Sequence, residues 1–277
     1  MVELLVVIAI IAILAGLLLP GVQSVREAAR STECANNLRQ TGMAIHGYES
    51  ARKVLPPGFV DPLESGEPGW GWASHLLPFL VGGRVQQGIR FDKGIADPVH
   101  AETRVIFLSV FACPSDDGRH IFDLPAGAGH DHKRFLFPIA KSNYAGVFGT
   151  FDIHAAPHDG DGIFYGNSTT RLRDVRDGLG STLMIGERSS KLGQSIWHGN
   201  IPQAKARFAR FLGIAGQHAL NHPRAHFAEF RSNHPGGAHF LKADSSVFFV
   251  SENVDEALFR DMATRDGEQV PPIDYSP

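Results

Sequence analysis

Glu3 is followed by sixteen apolar or small residues, Leu4 to Leu19, before Pro20 opens a long polar stretch. At about 1.5 Å per residue such a run, as a helix, rises roughly 24 Å, a little short of the ~30 Å hydrocarbon core of a bilayer. Met1, Val2 and a tilt or local thinning supply the remainder. Glu3 then lies near one membrane face or inside it, at a cost of about 3 kcal/mol if unpaired. A cleaved secretory signal wants a basic start and a small-x-small cleavage site, yet no Lys or Arg precedes Arg26, and Leu19 is followed by Pro-Gly-Val-Gln. A core helix this uniformly apolar needs burial on every side. A retained membrane helix fits best, with Ala9, Ala12, Ala15 and Gly16 forming a slim face suited to close helix packing.

Residues 21–52 continue the helix. Val22, Val25, Ala28, Ala29, Thr32, Ala35, Leu38, Met43 and Ile45 fall roughly on one stripe, which predicts a sheet packed over it. Pro20 removes a helical hydrogen bond and should kink or loosen the helix where it leaves the membrane. Pro56-Pro57-Gly58 stops it. Val105–Phe111 and Thr182–Ile185 read as strands, and His239–Val250 as a hairpin turning at 242–246. Asn253 with Glu256 reads as the start of a last helix through about Thr264. Residues 61–70, 115–134 and 152–161 read as loops.

The chain has 277 residues and a formal net charge of -3, so no basic excess points to nucleic acid. Thirty Gly and 17 Pro predict many turns, and 19 Phe supply bulk for a core. Fourteen His are the compositional oddity.

The segment from Glu3 to Gly16, with Pro20 following, resembles the N-terminus of type IV pilins and type II secretion pseudopilins. Further on, Pro56-Pro57-Gly58, Gly71-Trp72-Ala73-Ser74-His75-Leu76-Leu77-Pro78, Cys113-Pro114-Ser115-Asp116, Ser142-Asn143-Tyr144, Asp161-Gly162-Ile163-Phe164, Arg171 to Gly178, Gly186-Glu187 and His234-Pro235-Gly236-Gly237 stand in the order of a prepilin-like family. That family carries domain of unknown function 1559 and the label "PulG-like putative transporter". Its C-terminal signature, His-x9-Asp-Gly, reads here as His234 and Asp244, with Ser245 in place of Gly. The resemblance implies an α+β, pilin-like fold: a long N-terminal membrane-anchored helix packed on an antiparallel β-sheet with extensive loops. It divides the chain into a transmembrane part at 1–20, an exported half-helix at 21–52 and an exported domain at 53–277. It also implies single-pass residence in the inner (cytoplasmic) membrane, with the C-terminal domain exported to the periplasm or cell surface. Self-association or contact with other pilin-like subunits through the helix, methylation, and a prepilin peptidase acting on a leader upstream of Met1 follow in the same way. Glu3 matches the family's assembly glutamate.

In an exported chain, Cys34 and Cys113 suggest one disulfide; the alternative is two separately buried thiols. His218, His222 and His226 are spaced at fours, with His234 and His239 beyond, but Pro223 interrupts any helix that would align them for a metal. Asp159-Gly160-Asp161-Gly162 lacks the rest of a calcium loop. Ser74 and Ser245 have no nucleophile elbow around them. His234 and Asp244 are expected to tie the following hairpin down by hydrogen bonds around the Pro235-Gly236-Gly237 turn. The expectation is therefore a pseudopilin-like structural or secretion-associated protein with no catalytic, cofactor or metal residues. The alternative is a surface-displayed binding module that uses the helix only as an anchor.

Overall fold

A computed structural model describes residues 2–61, 68–80, 84–127, 134–216 and 218–267. Its first element, α1, spans Val2–Arg52, about 77 Å of helix, with Pro20 inside it. The helix ends where Lys53 takes a φ of 62° and its N–H closes on the Glu49 carbonyl, just before Pro56-Pro57. Among the described side chains up to Arg26 all are exposed: Leu4, Ile11, Leu19 and Val25 are 69, 59, 64 and 70% exposed. From Glu27 onward one face is covered, with Cys34, Ala35, Leu38, Ala44 and Ile45 buried.

The covered face keeps Ala35, Leu38 and Ile45 of the expected stripe and departs from it elsewhere. Val22, Val25 and Met43 point away, whereas Ser31, Cys34, Thr41 and Gly42 face the domain. Small residues line it because the sheet comes close: a Cβ built on Gly42 would lie 2.9 Å from Ser245 Oγ and 3.0 Å from Leu241 Cδ1. The lipid-length apolar run and the packing face are thus successive segments of one helix.

Short helices α2 (Trp72–His75), α3 (Arg84–Gln87) and α4 (Ala101–Arg104) lead into eight strands. These are β1 (Ile121–Pro125), β2 (Phe135–Ser142), β3 (Tyr144–Gly149), β4 (Leu183–Glu187), β5 (Ser195–Ile196), β6 (Leu212–Ile214), β7 (Gly237–Lys242) and β8 (Val247–Ser251). One sheet has the order β1-β2-β5 and the other β6-β3-β4-β7-β8. The larger sheet is mixed rather than antiparallel, because β6 runs parallel to β3, pairing Gly146 with Leu212. That pairing follows from the long excursion between β3 and β6, which brings the chain back in the same direction.

Alternation along the strands divides the core. Tyr144 and Phe148 of β3 face the α1 side, while Ala145 and Val147 face a second cluster with Phe230, Phe240 and Phe259. A last helix, α5 (Glu256–Asp261), closes that second side with Phe259, 5.6 Å ring to ring from Phe240. Its cap is Asp255, which accepts from Leu258 N at 3.0 Å, not the Asn253 expected from the capping-box spacing.

The β7–β8 hairpin and β4 match the sequence reading. Val105–Phe111 does not form a strand: it ends in a 3-10 turn, Ser109–Phe111, in which the Ser109 carbonyl accepts from Asn37 of α1 and the Phe111 carbonyl from the Asn143 N–H. Residues 115–134 hold a strand after all, since Phe122 and Leu124 alternate inward along β1. Of the loop expected at 61–70, residues 62–67 lie outside the described residues; 152–161 is irregular as expected.

Candidate functional site

Glu27, Ser31, Cys34 and Asn37 sit on successive turns of one face of α1, and all reach into the domain. Asn37 Nδ2 donates to the carbonyls of Ser109 (3.3 Å) and Ala112 (2.9 Å), fixing the loop that carries Cys113. Cys113 is disulfide-bonded to Cys34 with the Cα atoms 5.3 Å apart. Its N–H donates to Asn143 Oδ1 at 3.1 Å, and the Tyr144 hydroxyl donates to the Cys34 carbonyl at 3.3 Å. Both sulfurs are shielded from solvent, the residues being 0 and 6% exposed.

His234 stands beside this bridge. Its Nδ1 lies 2.6 Å from Glu27 Oε1, its Nε2 3.4 Å from Glu187 Oε1 and 3.4 Å from Cys113 Sγ. Glu187 ends β4 on the α1 side and is 1% exposed. Its Oε2 accepts the His239 N–H at 2.9 Å, while Oε1 has no hydrogen bond. His239 Nε2 pairs with Ser31 Oγ at 2.8 Å, adding a second contact from β7 to α1. Burial pulls the His234 imidazole down, but hydrogen bonds and charge from Glu187 and Glu27 outweigh it and hold His234 above the usual histidine value. Burial likewise pushes Glu27 up, yet bonds from His234, Arg30 and Ser115 overcome it and leave the carboxyl below its usual value. The result is an imidazole biased toward its protonated form and set between two carboxyl groups, one on the helix and one on the sheet.

A second polar network abuts the first. Asp116 is buried and accepts from Lys141 Nζ (2.9 Å), Asn143 Nδ2 (2.8 Å), Ser190 Oγ (2.6 Å) and Ser190 N (3.0 Å). Burial raises the Asp116 carboxyl, and these bonds lower it further than burial lifts it. Arg188 beyond it is fully buried and donates to the carbonyls of Glu229, Ala209, Leu212 and Ala228. Burial, with Arg210 nearby, brings its guanidinium down to about 9.

Four of the sequence motifs therefore meet at one place: Cys113-Pro-Ser-Asp116, Ser142-Asn-Tyr144, Gly186-Glu187 and His234. Beside His234, the space bounded by Cys113, Asp116, Asn143 and Glu187 is about 10 Å³, room for one water or one ion and not for an organic substrate. Asp244 is elsewhere. It is exposed at the tip of the hairpin, where Oδ1 accepts from Ser246 N (2.8 Å) and Oγ (2.6 Å). The clamp expected from His234 and Asp244 is thus corrected: Asp244 caps its own turn, and His234 ties the sheet to α1. Glu27 and Glu187 complete the site. Glu187 stood in a quoted motif without a role, and Glu27 had no signal beyond its spacing to Ser31 and Cys34.

The clustered histidines His218 and His222 have a local role. His218 Nδ1 lies 3.0 Å from Glu229 Oε2 and its ring stacks on His222 at 4.6 Å, without a helix to align His226. Asp161 serves Thr150, accepting from its N–H at 2.7 Å and its hydroxyl at 2.5 Å. Pro20 and Glu3 lie on the uncovered part of α1.

The chain belongs to the family described as protein of unknown function DUF1559 (SBP_bac_10), whose profile matches residues 23–257. That span contains the whole seam between α1 and the sheet, and starts just past Pro20. No curated protein and no solved structure matches the chain.

Proposed function

We propose that this is a pseudopilin-like structural or secretion-associated protein, anchored in the cytoplasmic membrane by the first half of α1 and carrying an exported, non-catalytic domain. The observation that carries the reading is the burial profile of α1. Residues 2–26 rise about 37 Å and their described side chains are all exposed, a length that spans a bilayer core and reaches both interfaces. The helix is long and apolar enough to cross a membrane. Covering starts at Glu27 and is then reinforced by a disulfide, an ion-pair bridge and close packing at Gly42. A mere tether does not require so stiff a junction; a subunit that transmits load or register from membrane to domain does. Disulfide bonding agrees with export to an oxidising compartment, and the tight polar seam offers no space for a substrate.

Neighbouring copies, or other pilin-like subunits, are the partners this arrangement suits, through the exposed apolar helix, with Glu3 paired across the contact to offset the cost of its charge in lipid. Carbonate-washed membranes from cells expressing the full-length chain with a leader should retain it, and Glu3→Ala should reduce crosslinked multimers while leaving the domain folded. A full-length chain recovered soluble and monomeric overturns the anchor; equal multimer yield from Glu3→Ala removes the assembly role.

One observation favours a binding module instead. A groove of about 970 Å³ opens on the domain between Phe122, Phe227, His154, Lys191 and Arg210. Its size suits a small ligand, and anchoring without multimers together with saturable ligand binding there would select that reading.

A further inference from the structure

We propose that Cys34, Cys113, His234 and Glu187 form a zinc site in the reduced chain, filled before the disulfide closes and emptied when it does. One donor atom from each of the four residues lies within 4.8 Å of every other. Zn²⁺ takes sulfur at about 2.3 Å and nitrogen or oxygen at about 2.0–2.2 Å in a tetrahedron, so neighbouring donors stand roughly 3.3–3.8 Å apart. Two edges of that tetrahedron already exist. His234 Nε2 is 3.4 Å from Cys113 Sγ and 3.4 Å from Glu187 Oε1. The remaining edges need the two sulfurs to part by side-chain rotation once the bond between them is open, which Cα atoms 5.3 Å apart permit.

The surroundings also fit a metal. Glu187 Oε1 is a buried oxygen with no hydrogen bond, directed at His234, while Oε2 is held by the His239 N–H. Its positive partner in this structure is the protonated form of His234 at 3.4 Å, and Zn²⁺ on Nε2 would supply the same charge in place of the proton. Glu27 on Nδ1 sets the imidazole so that Nε2 faces the sulfurs, the carboxylate–histidine arrangement that orients metal-ligating histidines. Two thiolates, one imidazole and one carboxylate are a borderline-soft set, which favours zinc over calcium or magnesium. Four protein ligands leave no open position, so the site is structural, not hydrolytic.

The two states exclude each other because they use the same sulfurs. Conversion needs a two-electron oxidant, for which a thiol–disulfide exchange partner of the exporting compartment serves. The zinc dithiolate, one partner disulfide and two protons give the Cys34–Cys113 disulfide, two partner thiols and free Zn²⁺. One thiolate leaves the zinc and attacks the partner disulfide, breaking its sulfur–sulfur bond to give a mixed disulfide and one partner thiol; the second thiolate then leaves the zinc, attacks the first cysteine's sulfur and releases the second partner thiol. The metal would hold α1 against the sheet in the reduced chain, and the disulfide holds it afterwards.

The test uses the full-length chain made in a reducing cytoplasm, purified in detergent with a phosphine reductant, stripped of metal and titrated with Co²⁺. The expected result is one Co²⁺ per chain with tetrahedral d–d bands and a thiolate charge-transfer band, both erased by Zn²⁺ and absent after oxidation. Glu187→Gln, nearly isosteric, should weaken binding and change the d–d bands, and Glu27→Gln should lower affinity about 10–100-fold with the thiolate band intact. A folded, reduced chain with no thiolate–Co²⁺ band overturns the proposal. So does a band that neither Glu187→Gln nor His234→Ala alters, since the metal then sits on other ligands. If the reduced chain unfolds without metal, Zn²⁺ must restore its buried-tryptophan fluorescence; failure to do so also refutes the site.

Discussion

His234→Ala should be the most damaging single truncation at the junction between helix and domain. Removing the imidazole strips Glu187, whose side chain is 2% exposed, of its cationic partner, and breaking a buried pair costs about 3–5 kcal/mol. The expected loss is the lower end of that range, about 3 kcal/mol. Glu27 adds about 1 kcal/mol or less, because it is 22% exposed and keeps Arg30 and Ser115. Glu27→Gln alone should therefore cost only about 1 kcal/mol. Urea unfolding in detergent reads this directly, since Trp70, Trp72 and Trp197 are each 1% exposed and report the core. The pH profile separates the ion pair from simple packing. His234 has a raised folded pKa, so its contribution is full below the unfolded value of about 6.5 and is lost as pH rises through the folded value. Glu27 has a lowered folded pKa, so its contribution is present above about 4.5 and is lost as pH falls through the folded value. The wild type should weaken on both arms, and His234→Ala should flatten the alkaline one. A loss below about 1 kcal/mol, or an alkaline arm identical to wild type, refutes the bridge.

Non-reduced peptide mapping should find one intramolecular Cys34–Cys113 crosslink, and Cys34→Ser with Cys113→Ser should cost up to about 4 kcal/mol for a sequence separation of 79, read as a shift in the urea midpoint without loss of secondary structure by circular dichroism. Asp116→Asn leaves Lys141, 1% exposed, as an unpaired buried cation; we expect about 3 kcal/mol by the same assay, and a weaker acid arm, because the lowered pKa of Asp116 stabilises the fold above about pH 3.8 and that gain is lost as pH falls through the folded value. Gly42→Val forces a side chain against Ser245 and Leu241 and should destabilise by about 1–3 kcal/mol, whereas Gly16→Val meets nothing within 4 Å and should leave domain stability unchanged; equal effects on urea unfolding would show that α1 does not dock there.

What was legible in the sequence was local. The unbroken apolar run from Leu4 to Leu19, the Pro56-Pro57-Gly58 stop and the alternating residues around the 242–246 turn each declare their structure within a few residues, and α1 and the β7–β8 hairpin follow. Errors arose where a local pattern had two outcomes. Val105–Phe111 is apolar enough for a strand, but Asn37 claims the carbonyls at its end and turns it. Val25 and Met43 suit a buried stripe, yet the domain prefers the small residues at Cys34 and Gly42, where two backbones can approach.

By itself the sequence determined that one long helix begins as an unbroken apolar run and ends in a polar, loop-rich domain, because helical hydrogen bonds and lipid-length hydrophobicity are properties of contiguous residues. Which face of that helix is covered, and by what, only the tertiary structure decided. Glu27 meets His234 across 207 positions, and Glu187 and Cys113 arrive from two further segments. No spacing along the chain encodes such a meeting. It depends on strand order, on the side of the sheet each side chain takes and on how closely α1 can lie, all set by packing the core as a whole.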